Sequence, residues 1–235
     1  MLYYREVKGV LHYELRETGS ADVISTLFLI QPRMLVSFFP KLMNPEPSEA
    51  LHLLELLASI QEGRGAKQVL AARALAPNGM AYSQAKKILP SFRPSGTFER
   101  RTLAGRHQHS GIVALDLDAS QNRGVPLAAT KALLAADPTT YAYFTSVGGM
   151  GLCVLVRIPA ENHKGSFRAL SAYYQKAYGL NVDQACGDMG RLRFVSYDSA
   201  LYLNEQAAIF AESLPEHAKP LTATPVLDTI LPTSI

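Results

Sequence analysis

The segment Ile112–Val113–Ala114–Leu115–Asp116–Leu117–Asp118 constrains the chain more than any other stretch. Apolar residues lead into a carboxylate, one more apolar residue follows, and a second carboxylate closes the run. In a β-strand the side-chain period is two, so Asp116 and Asp118 project from one face and Leu117 from the other. Two acids roughly 6–7 Å apart at the C-terminal end of a strand cannot both be desolvated without a cation beside them. Mg²⁺ or Mn²⁺ suits, because hard divalent cations take carboxylate oxygens and keep waters for a substrate phosphate. The same spacing also describes a strand that ends in a solvated acidic turn, so the rest of the chain has to decide.

The charge distribution says more than the total. Net charge is only +3 over 235 residues. Between Lys86 and His109, however, Lys86, Lys87, Arg93, Arg100, Arg101 and Arg106 stand against Glu99 alone. A basic segment directly before a pair of acids suits a site that handles polyanions, and it equally describes a solvated loop. With 48% apolar and 18% charged residues the composition is that of a globular protein. Cys153 and Cys186 lack zinc-like spacing and are read as reduced thiols. The start Leu2–Tyr3–Tyr4–Arg5–Glu6 does not resemble a signal peptide, and the apolar run Val23–Ile30 is too short to span a membrane. These features predict a soluble, cytoplasmic protein with no membrane partner.

Taken in order, residues 1–40 read as β-rich, with strands ending near Leu15 and over Met34–Phe39. Ser48 is the expected N-cap of a helix from Glu49 to Ile60, and further helices are expected over Ala66–Leu75 and Met80–Ile88. Ser91–Phe98 is a Pro/Gly-punctuated loop, and a soft boundary is placed at residue 85. A helix is expected over Gln121–Leu134. Tyr141–Ser146 and Leu152–Ile158 flank the glycine turn Val147–Gly148–Gly149–Met150–Gly151, whose backbone amides can receive a phosphate oxygen. Phe167, Leu170, Tyr174 and Tyr178 give a helix over Lys164–Gly179 its apolar face. Asp183 is a third candidate carboxylate, with Asp188 and Asp198 as competitors. Arg191 and Arg193 share one face of an expected strand, from which they can clamp phosphates or pair with nearby acids. The Pro-containing segment 213–235 reads as a tail or linker.

In this order the motifs resemble the archaeo-eukaryotic primase superfamily, and most closely the primase-polymerase domains of the VirE N-terminal-like group of mobile elements and phages. The resemblance runs from Lys86 to Asn204, about half the chain. It is carried by Lys86–Pro90 with Ser95–Phe98, by His109–Asp118, by Phe144–Val154, and by Arg191–Asp198 followed by Tyr202 and Asn204. It implies an α+β fold: an RRM-like antiparallel sheet flanked by helices, with an N-terminal α/β accessory module (1–85) completing one catalytic cleft with the core (86–212). It further implies a DNA-templated nucleotidyltransferase that makes or extends primers. Asp116, Asp118 and Asp183 would hold two Mg²⁺ or Mn²⁺ ions, and Ser146, Gly149, Gly151, Arg191, Arg193, Lys87 and His109 would contact the nucleotide. The implied partners are a DNA template, NTP or dNTP, and a helicase that is fused or separately encoded.

One position departs from that pattern. Cys153 stands where many such domains carry a His or Lys on the second-motif strand, and Lys86, Lys87, His107 or His109 are the candidates to replace the missing charge. Two other readings follow from the same residues. The chain is alternatively a catalytically silent nucleic-acid-binding module of a replication protein. Leu115–Ser120 with Phe144–Ser146 also resembles haloacid-dehalogenase-type phosphatases, although that reading needs a parallel βα repeat after Ser146 where a hairpin is expected.

Overall fold

The structure is a computed structural model and describes residues 2–7, 10–15, 34–40, 49–75, 79–99 and 106–215. The Val23–Ile30 run, the Ser48 cap, Arg100, Arg101 and the tail beyond residue 215 lie outside these. The protein is a mixed α+β fold with five α-helices and several antiparallel sheets among the described residues. Strands β1 (Leu2–Val7) and β2 (Val10–Leu15) form an antiparallel pair. Next come β3 (Leu35–Phe39), β4 (Glu49–His52), α1 (Leu53–Glu62), α2 (Ala66–Arg73) and α3 (Met80–Lys87). Short strands β5 (Ser91–Arg93), β6 (Gly96–Phe98) and β7 (Arg106–His109) lead into β8 (Ile112–Leu117). Then follow α4 (Leu127–Ala136), β9 (Thr140–Thr145), β10 (Leu152–Arg157), α5 (His163–Tyr178), β11 (Arg193–Phe194) and β12 (Tyr202–Leu203).

Two four-stranded sheets organise the chain. One has the order β12-β9-β10-β8 and the other β11-β5-β3-β4, and every pairing is antiparallel. Strand β8 shows why its sequence is apolar on both sides. Ile112 and Ala114 face a core shared with Val36, Leu56, Ile60 and Phe92 of the β3–β5 region. Val113, Leu115 and Leu117 face a second core with Phe167, Leu170 and Tyr174 of α5. Both faces are covered, so alternation disappears until Asp116. The apolar and aromatic residues of α5 pack inward as their spacing predicts, and Gly179 ends the helix in the left-handed conformation at φ 66°.

Several boundaries differ from expectation. Residues 49–52 pair with β3 rather than open a helix, so α1 starts at Leu53, with the His52 ring accepting from the Leu54 amide at 3.3 Å. Helix α4 starts at Leu127, after Pro126, because the Asp118 carbonyl captures the Gln121 and Asn122 amides in turns. Ser91–Phe98 is not a loop: β5 joins β3 and β11, and β6 pairs with β7. The strand expected over Arg191–Asp198 shortens to Arg193–Phe194. Strands from both sides of residue 85 thus share one sheet. Strands β9 and β10 form the expected antiparallel hairpin, with Cys153 opposite Phe144, in place of the parallel repeat the phosphatase reading needs. No helix among the described residues is long and apolar enough to cross a membrane.

Candidate metal centre

The centre is assembled at the C-terminal end of β8. Asp116 is the last polar residue inside the strand and sits opposite Cys153 on β10. Asp118 lies just past the strand end. After α5 the chain returns beside it: the Asp183 amide donates to the Asp116 carbonyl at 3.0 Å. The Asp183 carboxylate accepts from the Ala185 amide at 3.0 Å and so starts a 3₁₀ turn over Gln184–Gly187. That turn aims Cys186 inward, and its thiol donates to Asp116 Oδ2 at 3.5 Å. Donor atoms of Asp116, Asp183 and Cys186 all lie within 4.8 Å of one another, so the group can hold a metal ion.

Electrostatics join Asp118 to this group. Burial, followed by the charges of Asp116 and Asp183, pushes its carboxyl above the usual carboxylate range, against the pull of Lys86 and Arg193. A cation among the three acids relieves that repulsion, and the oxygen donors suit a hard divalent ion. The Cys186 thiol is pushed up to about 11, chiefly by burial, so it is protonated at neutral pH. The competing acids are occupied elsewhere. Asp198 accepts from the Thr145 hydroxyl at 2.6 Å, the Thr145 amide at 2.7 Å and Lys131 at 3.3 Å. Burial opposes its charge, but these bonds hold its carboxyl below the ordinary value. Asp188 caps the Gly190 amide at 2.8 Å.

The two arginines differ. Arg193 is buried, with its Nε 3.4 Å from Asp116 Oδ1 and its Nη2 donating to the Ala114 carbonyl at 3.0 Å. The guanidinium charge also acts on the thiols of Cys153 and Cys186, opposing the rise that burial imposes on them. Burial acts against its charge, yet Asp116 and the two sulfurs outweigh it and raise its pKa. Strand β11 thus sets a buried cation against Asp116 and close to Cys153. Arg191 is exposed and lines a cleft of about 500 Å³ that also reaches Asp116, Asp118, Ser146, Gly151 and Cys153. Lys86 lies on the same cleft, its ammonium 4.9 Å from the centre of the Phe194 ring and 5.3 Å from that of Tyr82.

Three expected nucleotide contacts fall elsewhere. Lys87 is exposed and does not line the cleft, one residue out of phase with Lys86 on α3. The Gly149 amide donates to the Ser146 carbonyl at 2.9 Å, and this glycine, at φ 78°, packs against Arg73. Arg73 in turn bonds the carbonyls of Ser146 at 3.1 Å and Tyr197 at 2.7 Å. His109 precedes β8, at the end opposite Asp116. Its Nδ1 accepts from the Gly111 amide at 2.9 Å, and its Nε2 lies 3.1 Å from Nδ1 of the buried His163. That network assigns the neutral His109 proton to Nε2, which leaves His163 carrying its proton on Nε2, an atom with no partner among the described residues.

Sequence reasoning missed Cys186 and the clasp by Arg73. The one signal for Cys186 was its place three residues after Asp183, which a 3₁₀ turn brings to the same side. The family model for the BT4734-like, N-terminal domain matches residues 84–203. No curated protein and no solved structure matches the chain.

Proposed function

We propose a function from one premise: the chain belongs to the BT4734-like, N-terminal domain family. It is a metal-dependent nucleotidyltransferase of the primase-polymerase type, joining nucleotides on a DNA template, with its catalytic core built on an RRM-like sheet. The observation that carries this reading is the convergence of Asp116, Asp118 and Asp183 beside a cleft that also holds Lys86, Arg191 and the glycine turn. Bound to those carboxylates, Mg²⁺ or Mn²⁺ ions supply neutralisation of triphosphate charge and activation of a 3′-hydroxyl.

The remaining steps belong to side chains of the chain itself. Lys86 and Arg191 face the cleft and attract the triphosphate. The two Asp116 oxygens are divided: Arg193 steadies Oδ1, and Oδ2 faces the Asp183 turn. Gly151 leaves room at the end of β8, because a Cβ there would lie 2.7 Å from the Leu117 carbonyl oxygen and 3.5 Å from Asp118 Oδ1. The phenyl ring of Phe194, on the cleft wall beside Lys86, gives a base a face to stack on.

The test is a primer synthesis and extension assay with purified protein, a single-stranded DNA template, NTPs or dNTPs, and Mn²⁺. The wild type makes product and Asp116→Ala/Asp118→Ala makes none. Template binding without synthesis by either protein assigns the chain to the silent nucleic-acid-binding reading instead.

A further inference from the structure

Cys186 is the one donor in the centre that a hard-cation site does not call for. Its sulfur is buried, yet it is turned toward Asp116 Oδ2 at 3.5 Å and grouped with an Asp183 oxygen inside 4.8 Å. A tetrahedral ion with a metal–sulfur bond of about 2.3 Å and a metal–oxygen bond of about 2.0 Å sets its S and O donors about 3.5 Å apart. The observed separation is that edge. Asp116 is also prepared for it: Arg193, 6% exposed, points its Nε at Oδ1 from 3.4 Å without completing a hydrogen bond there. Oδ1 is thereby held by a fixed cation while Oδ2 stays turned to the sulfur.

We propose that Cys186, Asp116 and Asp183 form a mixed thiolate–carboxylate site for a thiophilic divalent cation such as Zn²⁺ or Cd²⁺. Binding forms one metal–sulfur and two metal–oxygen bonds, and the thiol proton leaves to solvent as the thiolate becomes a ligand. The site takes Asp116 and Asp183 away from any hard cation that needs them, so a thiophilic ion and Mg²⁺ compete for one pair of carboxylates. The site does not depend on the reaction proposed above, since ion binding needs neither template nor nucleotide.

The chain has only two cysteines, Cys153 and Cys186, which makes the assignment direct. Cd²⁺ is titrated into the 235-residue chain and the ultraviolet thiolate-to-metal charge-transfer band is recorded. The band is expected to saturate at a single equivalent in the wild type and to remain in Cys153→Ser, where Cys186 is the sole thiol. It is expected to vanish in Cys186→Ser, and its midpoint should move to roughly tenfold or more higher Cd²⁺ in Asp183→Asn. Zn²⁺ is expected to displace Cd²⁺ and bleach the band. Absence of a band in the wild type or in Cys153→Ser overturns the proposal, and so does its survival in Cys186→Ser. Primer synthesis measured separately with Mn²⁺ decides the proposed reaction whatever the Cd²⁺ titration gives.

Discussion

The amide of Asp183 donates to the carbonyl of Asp116 at 3.0 Å, so the third acid is tied by backbone to the strand that carries the first. Side-chain substitutions at Asp116 and Asp118 therefore leave this backbone tie in place. Asp118 bears the strain of the arrangement, since its folded carboxyl is held above its unfolded value by burial and by Asp116 and Asp183. A raised carboxyl pKa means that the charged form destabilises the fold above the unfolded pKa, and that this cost disappears as the pH falls through the folded pKa. Asp118→Asn is expected to raise the melting temperature at pH 7 while lowering Mn²⁺-dependent synthesis roughly a hundredfold or more. Differential scanning fluorimetry and the primer assay check the pair. A variant that melts lower than the wild type contradicts the electrostatic account.

Lys86 and Lys87 are neighbours in sequence with different destinations. Lys86 stands on the cleft over Phe194 and Tyr82, and Lys87 is exposed outside it. Lys86→Ala is expected to raise the KM for nucleotide about tenfold, in line with loss of one charge-assisted phosphate contact. Lys87→Ala should stay within about twofold of the wild type. Equal effects from the two substitutions would remove Lys86 from the triphosphate site.

Gly151 lies where the turn after β9 passes under the end of β8. A methyl group there meets the Leu117 carbonyl at 2.7 Å, a backbone contact that cannot swing aside. Gly151→Ala should cost about 1–3 kcal/mol in urea denaturation, the usual range for overpacking. It should also displace Asp118 and lower synthesis more than stability. Gly124→Ala provides the contrast: its Cβ meets nothing within 4 Å, and at φ 87° it strains only the local backbone.

His163 gives the fold an acid limit away from the metal centre. Burial, with His109 adding to it, lowers its pKa from 6.5 to about 4, against the opposing charge of Asp188. Because the folded value is the lower one, stability is complete above the unfolded pKa and falls as the pH drops from 6.5 toward 4. The loss amounts to ~2 kcal/mol by pH 5 and approaches ~3 kcal/mol below pH 4. Urea titrations of wild type and His163→Asn at pH 7 and pH 5 measure it as the difference between the two pH dependences. Parallel dependences would mean that His163 does not titrate on unfolding.

How legible the chain is depends on the range of the forces involved. The β8 run, the glycine hairpin and the α5 stripe were readable because periodicity and turn chemistry act within a few residues. Ser91–Phe98 read as a loop, since Pro94 and Gly96 are local signals while its pairing with Leu35–Phe39 is not. The acids at 116, 118 and 183 could be nominated from sequence, whereas the partner of each candidate cation could not. Arg191 and Arg193 differ by two positions and look equivalent, but one is exposed and the other is buried against Asp116. Alternation places two side chains on one face without saying how deep that face lies at each point. Cys186 stayed hidden because a thiol among carboxylates has no spacing rule of its own.

The sheet of order β11-β5-β3-β4 draws strands from residues 35–39 and 49–52 as well as from 91–93 and 193–194. The stretch that matches the family, 84–203, holds β5 and β11 but neither of the strands that complete their sheet. What is inherited as a recognisable segment is therefore smaller than what is stable as a body. Expressed alone, 84–203 would present the open edge of β5 and the Phe92 side chain to water, a sticky margin that invites self-association. Anyone trimming this protein should cut N-terminal to Met34.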